Sequence, residues 1–283
     1  MIGKSRHPTT PQEAPASSLD RGAFGQGCGV LQHSPSPGTY QHTRHAPPAE
    51  LAEWVEHFWL EKWNLQESPP QTRVVLPHPS VHLVFAPGRS KVYGVQLRRF
   101  ARELKGQDSI LGIKFRPGAF YPFFGKPIST IANSFVIAEH VFPDAVSAEQ
   151  RVLTRGDDQA MVEAAAEFLI PHLPAHDPNV DIACRIVEAI ANDCAVTRVE
   201  HLIARFGLPE RKLQRLFHRY VGASPRWVIK RYRVYDVLNQ LSADEPVAGA
   251  VLAQNTGYFD QAHLYNDFRK MIGCSPGQYV DSK

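Results

Sequence analysis

At 283 residues, 43% hydrophobic and 21% charged, the chain is long enough for two domains that each bury a core, and its composition excludes a wholly disordered or fibrous protein. Pro, Gly or charge interrupts every apolar run before the roughly 18 residues a membrane span needs, and the opening MIGKSRHPTTPQEAP lacks the apolar stretch of a secretory signal. A cytoplasmic protein with no membrane partner is expected. The net charge of +3 matters through its distribution: residues 1–178 carry 17 basic and 17 acidic side chains, whereas residues 179–283 carry 14 and 11.

Residues 1–48 hold seven Pro and six Gly with little apolar periodicity and are expected to form a disordered tail. ELAEWVEHFWLEKW comes after it, with Leu51, Trp54, Val55 and Phe58 at helical spacing, which predicts an amphipathic helix at the start of the folded part. Short runs of β character come next, RVVLPH, VHLVFAPG, KVYGVQ and SILGIKFRPG, each closed by Pro, Gly or a polar residue. Residues 49–175 therefore read as a sheet-rich domain with a few helices. Its aromatics, Trp54, Phe58, Trp59, Trp63, Phe85, Tyr93, Phe115, Tyr121, Phe123 and Phe124, are expected mainly as core; the competing reading has them line an apolar pocket with Arg116 as polar anchor.

No metal, cofactor or catalytic group is expected. His78 and His82 are four apart, but Pro77 and Pro79 oppose a helix and no Glu stands at H-E-x-x-H spacing. Cys28, Cys184, Cys194 and Cys274 are scattered, without a C-x-x-C pair, and read as free buried thiols. There is no G-x-S-x-G, P-loop or dinucleotide fingerprint.

Between Gly156 and Leu173 the pattern returns to helix, with Met161, Ala164, Ala165 and Phe168 on one face. The proline-rich PHLPAHDPN then marks a boundary near residue 175, and residues 176–283 read as all helix. Inside this part LQRLFHRYVGASP, from Leu213 to Pro225, recurs 51 residues later as LYNDFRKMIGCSP, from Leu264 to Pro276. Ahead of the first copy Val199, Leu202, Ile203 and Phe206 form a helical stripe broken by Gly207; ahead of the second, Val247, Ala250 and Val251 are succeeded by Gly257. Each copy is thus helix, tight turn, helix: a helix-turn-helix unit whose second helix can enter a major groove.

The repeated Leu and Phe anchor the second helix, and Gly222 or Gly273 ends it. What varies is the opposite face. In the first copy it carries Arg211, Gln214, Arg215 and His218, flanked by Lys212 and Arg219: Arg suits guanine, Gln suits adenine, and the flanking cations suit phosphate. In the second it carries Ala262, Tyr265, Asn266 and Arg269 with Gln261 and His263 beside them, a less basic face. From Arg205 to Arg233 nine Lys or Arg stand against the single acid Glu210, a one-signed density that favours a polyanion. PRWVIKRYRVYDVLNQL joins the copies with Trp227, Val228, Arg231, Val234, Tyr235, Leu238 and Leu241 in one stripe, predicting a continuous helix. Its length of roughly 24 Å, plus the width of packed helices, brings the two reading helices near the ~34 Å of one DNA turn.

This arrangement, with NTGYFDQAHLYNDFRKMIGCSPGQY in the second copy, resembles the DNA-binding domain of the AraC/XylS family of bacterial transcription regulators over about residues 179–280. The resemblance implies an α+β fold: a sheet-rich N-terminal domain, then an all-α domain with two helix-turn-helix units on a long linker helix. It implies sequence-specific binding of double-stranded DNA, with base reading at Arg211, Gln214 and Arg215 and at Gln261, His263 and Asn266. Two departures are Ile203, where the family often has a small residue, and Asn266, where many members have Arg. Residues 54–145 are similar to an N-terminal domain of one branch of these regulators, which implies a small-molecule effector or a homodimer, and RNA polymerase as a further partner. The competing class is a small-molecule-binding protein or enzyme whose C-terminal helices are a vestigial oligomerisation module.

Overall fold

The computed structural model describes residues 30–31, 40–242 and 249–281; the rest of the expected tail, residues 1–29 and 32–39, lies outside the described residues, as does Cys28. The N-terminal unit is built on two antiparallel sheets. The larger has the order β2 (Tyr40–His45), β3 (Val55–Leu65), β8 (Gly106–Phe115), β5 (His82–Phe85), β6 (Lys91–Tyr93), β9 (Phe135–Ile137), and the smaller the order β1 (Val30–Leu31), β4 (Gln71–Val75), β7 (Phe100–Leu104). Helices α1 (Tyr121–Phe124), α2 (Ala145–Leu153) and α3 (Asp158–Leu169) come next, and the Asp157 carboxylate caps α3 by accepting from the Ala160 amide at 2.8 Å.

Two expectations are corrected here. ELAEWVEHFWLEKW forms a short turn at Ala49–Leu51 and then strand β3, not a helix. The helical spacing of Leu51, Trp54, Val55 and Phe58 arises from a turn leading into a strand with a bulge between Val55 and His57, which displaces the alternation by one residue. The sheet also begins inside the segment expected to be tail: β2 pairs with β3 from Tyr40↔Trp63 to His45↔Phe58. The sequence YQHTRH hides this because its inward side chains are polar.

Both faces of the larger sheet are covered. One carries Phe58, Leu60, Leu83, Phe85, Leu111, Ile113 and Phe115 into a core shared with α2 and α3. The other packs Trp63, Leu65, Val84 and Ile110 against Leu104 of the smaller sheet. A strand buried on both faces loses the polar and apolar alternation that would reveal it. Most of the aromatics are core, but Trp59 differs: its indole crosses Gly112, where a Cβ would fall 2.0 Å from the ring, and donates to Nδ1 of His82 at 3.1 Å.

Arg116, the polar anchor of the competing pocket reading, reaches the helical unit by pairing with Glu188 and donates to the Ala52 carbonyl of the sheet unit at 3.3 Å. Nor are the thiols uniformly buried: Cys184 is buried, Cys274 half-buried and Cys194 exposed. His78 and His82 do come together, their rings 6.3 Å apart, because the chain bends at Pro79 between the His78 bridge to Gln96 and strand β5.

The helical unit comprises α4 (Pro178–Asn192), α5 (Val199–Phe206), α6 (Glu210–Leu216), α7 (Pro225–Ser242), α8 (Gly249–Asn255), α9 (Gln261–Ile272) and α10 (Pro276–Asp281). Its first half has no core of its own: Ile186, Leu202, Leu213, Phe217 and Val228 continue the core of the sheet unit. Its second half does, with Val234, Leu238, Leu252, Leu264, Phe268 and Ile272. At the surface Glu53, His176 and Asp181 clasp the two units, His176 lying 2.9 Å from Glu53 and 3.4 Å from Asp181. The hydrogen bond to Glu53 raises the His176 pKa, so this exposed trio, whose ligand atoms could also meet a metal ion, reads as an ion-paired clasp. Among the described residues no helix is long and apolar enough to cross a membrane.

Candidate nucleic-acid interface

The two copies share one backbone design. α5 ends at Gly207 and α8 leads to Gly257, both left-handed at φ +63° and +73°; the second helices end at Gly222 and Gly273, at +79° and +99°. In each copy the repeated Leu and Phe, Leu213 and Phe217 or Leu264 and Phe268, are 0% exposed. They plug the second helix into its core and leave the opposite face outward. The entries differ. Asp260 caps α9 by accepting from the His263 amide at 2.7 Å, whereas α6 starts after Pro209 with no side-chain cap.

On α6 the side chains of Arg211, Lys212, Gln214 and Arg215 are exposed, Gln214 donating to Glu210 at 2.8 Å. His218 and Arg219 are exposed as well. They lie where the helix opens to π geometry, from Phe217 to Val221, and both contact the sheet unit. His218 Nε2 comes within 2.9 Å of the Ser129 hydroxyl, and the Arg219 guanidinium stacks 4.6 Å above the Tyr121 ring, both partners belonging to the sheet unit. The Tyr220 ring packs 4.4 Å from Tyr121, and its hydroxyl donates to Asp177 at 2.7 Å. Burial, with Asp177 beside it, pushes the Tyr220 phenol up to about 12.

On α9 Gln261, Ala262, His263 and Asn266 are exposed and Tyr265 is half-buried. Asp267 is 5% exposed and lies 2.9 Å from Lys230 of α7, so its charge is matched within the fold. Sequence reasoning missed Phe259. It sits just before α9 and is 90% exposed, far more than Phe135 at 47%. The only sequence signal was an aromatic next to an N-capping Asp.

The linker is one unbroken helix of 18 residues, about 27 Å at ~1.5 Å per residue. Two of the nine cations in the basic window serve it from within. Arg231, 3% exposed, donates to the Pro77 carbonyl at 3.1 Å and stacks 3.8 Å over Tyr235; Arg233, also 3% exposed, donates to the carbonyls of Cys194 and Ile190 at 2.7 and 2.8 Å. The surface charge of the window is correspondingly smaller than its sequence suggests, and it is concentrated on α6.

Residues 202–282 match a family model described as a helix-turn-helix domain. The chain carries an AraC-type helix-turn-helix domain. Residues 43–137 match a second model, described as a domain of unknown function, DUF6597. Among solved structures, the chain is similar to a probable AraC family transcriptional regulator from Rhodopseudomonas palustris CGA009, at 28% identity over 34% of this chain and 91% of that one, TM-score 0.31. It is similar to the xylose-binding transcription activator XylR at 19% identity over 44% and 38%, TM-score 0.32. It is also similar to ToxT from Vibrio cholerae O395 bound to (E)-4-(8-methylnaphthalen-1-yl)but-3-enoic acid, at 10% identity over 86% and 99%, TM-score 0.39. No curated protein matches the chain. The assignment of the AraC-type domain rests on the domain match, not on these superpositions.

Proposed function

We propose that the chain is a sequence-specific DNA-binding transcription regulator whose α6 and α9 enter successive major-groove segments on one flank of the duplex. One observation carries this reading: two helix pairs of the same design sit on the unbroken α7, each with its apolar repeat inward and a polar face outward. Arg211, Gln214 and Arg215 read bases from α6, Lys212 contacts phosphate, and Gln261, Ala262, His263, Tyr265 and Asn266 form the weaker second contact. His218 and Arg219 join the interface only when the sheet unit releases them. Effector binding in the sheet unit is the means of that release, and the resemblance adds RNA polymerase and a second copy of the chain as partners. The proposal assigns the protein no chemical reaction.

The test is binding of the full-length chain to labelled fragments from upstream of its own gene and to random fragments, by anisotropy at several salt concentrations. A regulator prefers some fragments, and its affinity falls steeply with salt. Equal affinity for every fragment would instead support the vestigial-module reading.

A further inference from the structure

Between the two sheets lies a set of buried donors that lack acceptors. Arg73, in the middle of β4, is 4% exposed, and none of its three guanidinium nitrogens has a hydrogen-bond acceptor among the described residues. Its guanidinium stacks 3.9 Å above the Tyr40 ring. The neighbouring carboxylate, Glu61, is already engaged on both oxygens: the Tyr40 hydroxyl donates to Oε1 at 2.9 Å and Arg102 donates to Oε2 at 3.0 Å.

A second unmatched donor stands beside it. Arg44 donates to Nε2 of His42 at 3.4 Å, which leaves the imidazole proton on Nδ1. That buried atom has no hydrogen-bond partner either, Oε1 of Glu61 lying 3.9 Å away. Burial first, then the guanidinium of Arg44, holds the His42 pKa down to about 4, so at neutral pH the ring is an uncharged donor. His42 in turn stacks on Trp59, ring centroids 6.3 Å apart at 21°.

Arg73 and Arg102 against Glu61 leave one positive charge over in the interior. A buried guanidinium with no acceptor is strongly unfavourable, and a fold retains one where something else supplies the missing oxygens. A planar oxyanion does so, because its paired oxygens match the guanidinium fork. We propose that this donor cluster binds a small molecule through a carboxylate or phosphate, its oxygens on Arg73 and Nδ1 of His42. The proposal rests on the reading of the sheet unit as the effector domain.

The test uses the full-length chain and its Arg73→Met and Arg73→Lys variants. Thermal unfolding and tryptophan fluorescence are followed with benzoate, citrate and inorganic phosphate against chloride at equal ionic strength, with benzamide as the uncharged counterpart of benzoate. At least one oxyanion raises the Tm of the wild type by about 3 °C at roughly ten times its Kd and changes the fluorescence, while benzamide does neither. R73M loses about tenfold or more in affinity, and R73K, which keeps the charge without the fork, falls between.

Without added oxyanion, R73M unfolds at or above the wild-type temperature, since an unmatched charge has been removed. A response to benzoate or citrate alone identifies the carboxylate, and one to phosphate alone the phosphate. The inference is overturned if no oxyanion acts on the wild type, or if R73M responds as strongly as the wild type. Equal binding of benzamide to wild type and R73M also overturns it while leaving the effector reading in place. Fragment preference in the DNA assay without any oxyanion response overturns this inference alone. An oxyanion response without fragment preference leaves it standing and overturns the DNA reading.

Discussion

His218, in the π-helical turn that follows α6, shares a hydrogen bond of 2.9 Å with Ser129 of the sheet unit. With Arg219 stacked on Tyr121, the far end of the helix proposed to read bases is held by the sheet unit. Ser129→Ala frees His218 without touching α6. An exposed hydrogen bond contributes about 0.5–1.5 kcal/mol, so affinity for the preferred fragment is expected to rise roughly two- to tenfold. Anisotropy titration of wild type and S129A checks this, and equal or weaker binding by the variant would show that the contact does not restrain the helix.

Arg215 and Lys212 are both exposed on α6 and are expected to differ in kind. Arg215→Ala lowers binding to the preferred fragment by about 1–3 kcal/mol and narrows its margin over random DNA. Lys212→Ala weakens all fragments alike and lowers the salt slope by about one. Titrations at three salt concentrations separate them; unchanged selectivity in R215A would mean that α6 does not read bases.

Phe259 projects into solvent next to the N-terminus of α9, where an apolar side chain can meet a thymine methyl. Phe259→Ala is expected to leave the Tm within about 1 °C, because the ring covers no core, and to weaken specific binding by about 1 kcal/mol. If affinity is unchanged and the wild type self-associates while F259A does not, the ring belongs to a protein contact.

Gly207 and Gly222 share a left-handed backbone, at φ +63° and +79°, but differ in surroundings. A Cβ on Gly207 meets nothing within 4 Å, so Gly207→Ala costs only the conformational strain, about 1–2 kcal/mol. A Cβ on Gly222 falls 2.7 Å from the Ile128 side chain and 3.1 Å from its backbone. Gly222→Ala is therefore expected to cost about 1–3 kcal/mol more and to loosen the docking of α6 on the sheet unit. Denaturant unfolding with hydrogen exchange near Ile128 measures both effects; equal losses for the two variants would contradict the close approach.

Stability should fall in mild acid. Burial, with Lys114 next in importance, brings the His82 pKa down to about 3, and burial with Arg44 brings His42 to about 4. Both are below the unfolded value, so the unfolded chain takes up protons first. The stability from keeping these rings neutral is full above the unfolded pKa near 6.5 and is lost as pH falls toward the folded values. From pH 7 to pH 5 the loss is about 2–4 kcal/mol for the pair, allowing for partial solvent access. Urea unfolding at pH 7, 6 and 5 tests this, and His82→Gln, which keeps an acceptor for Trp59, should flatten the slope. A flat profile in the wild type would show that the rings already sit in water.

Legibility differed between the two halves for identifiable reasons. The helix-turn-helix pair was readable because each helix has one wet face and one dry face, and because Gly207, Gly222, Gly257 and Gly273 mark backbone that other residues rarely adopt. α3 was readable for the same reason, with Asp157 at its cap. Strand β3 was not, since a bulge and burial on both faces gave it the spacing of a helix. Strand β2 was missed because its inward residues include His42, whose purpose is visible only opposite Arg73 and Glu61.

By itself the order of residues determined the tandem design of the DNA-facing half, its linker helix and the side chains on its outer faces. These depend on spacing within a few turns of one helix, where neighbours in the chain are neighbours in space. Only the tertiary structure decided that the sheet unit and the first helix pair share one core, that His218 and Arg219 face Ser129 and Tyr121, and that Arg73 is buried without an acceptor. Those facts come from segments between about 30 and 100 residues apart in the chain meeting across packed surfaces. No local pattern encodes which charge or hydroxyl will lie on the other side.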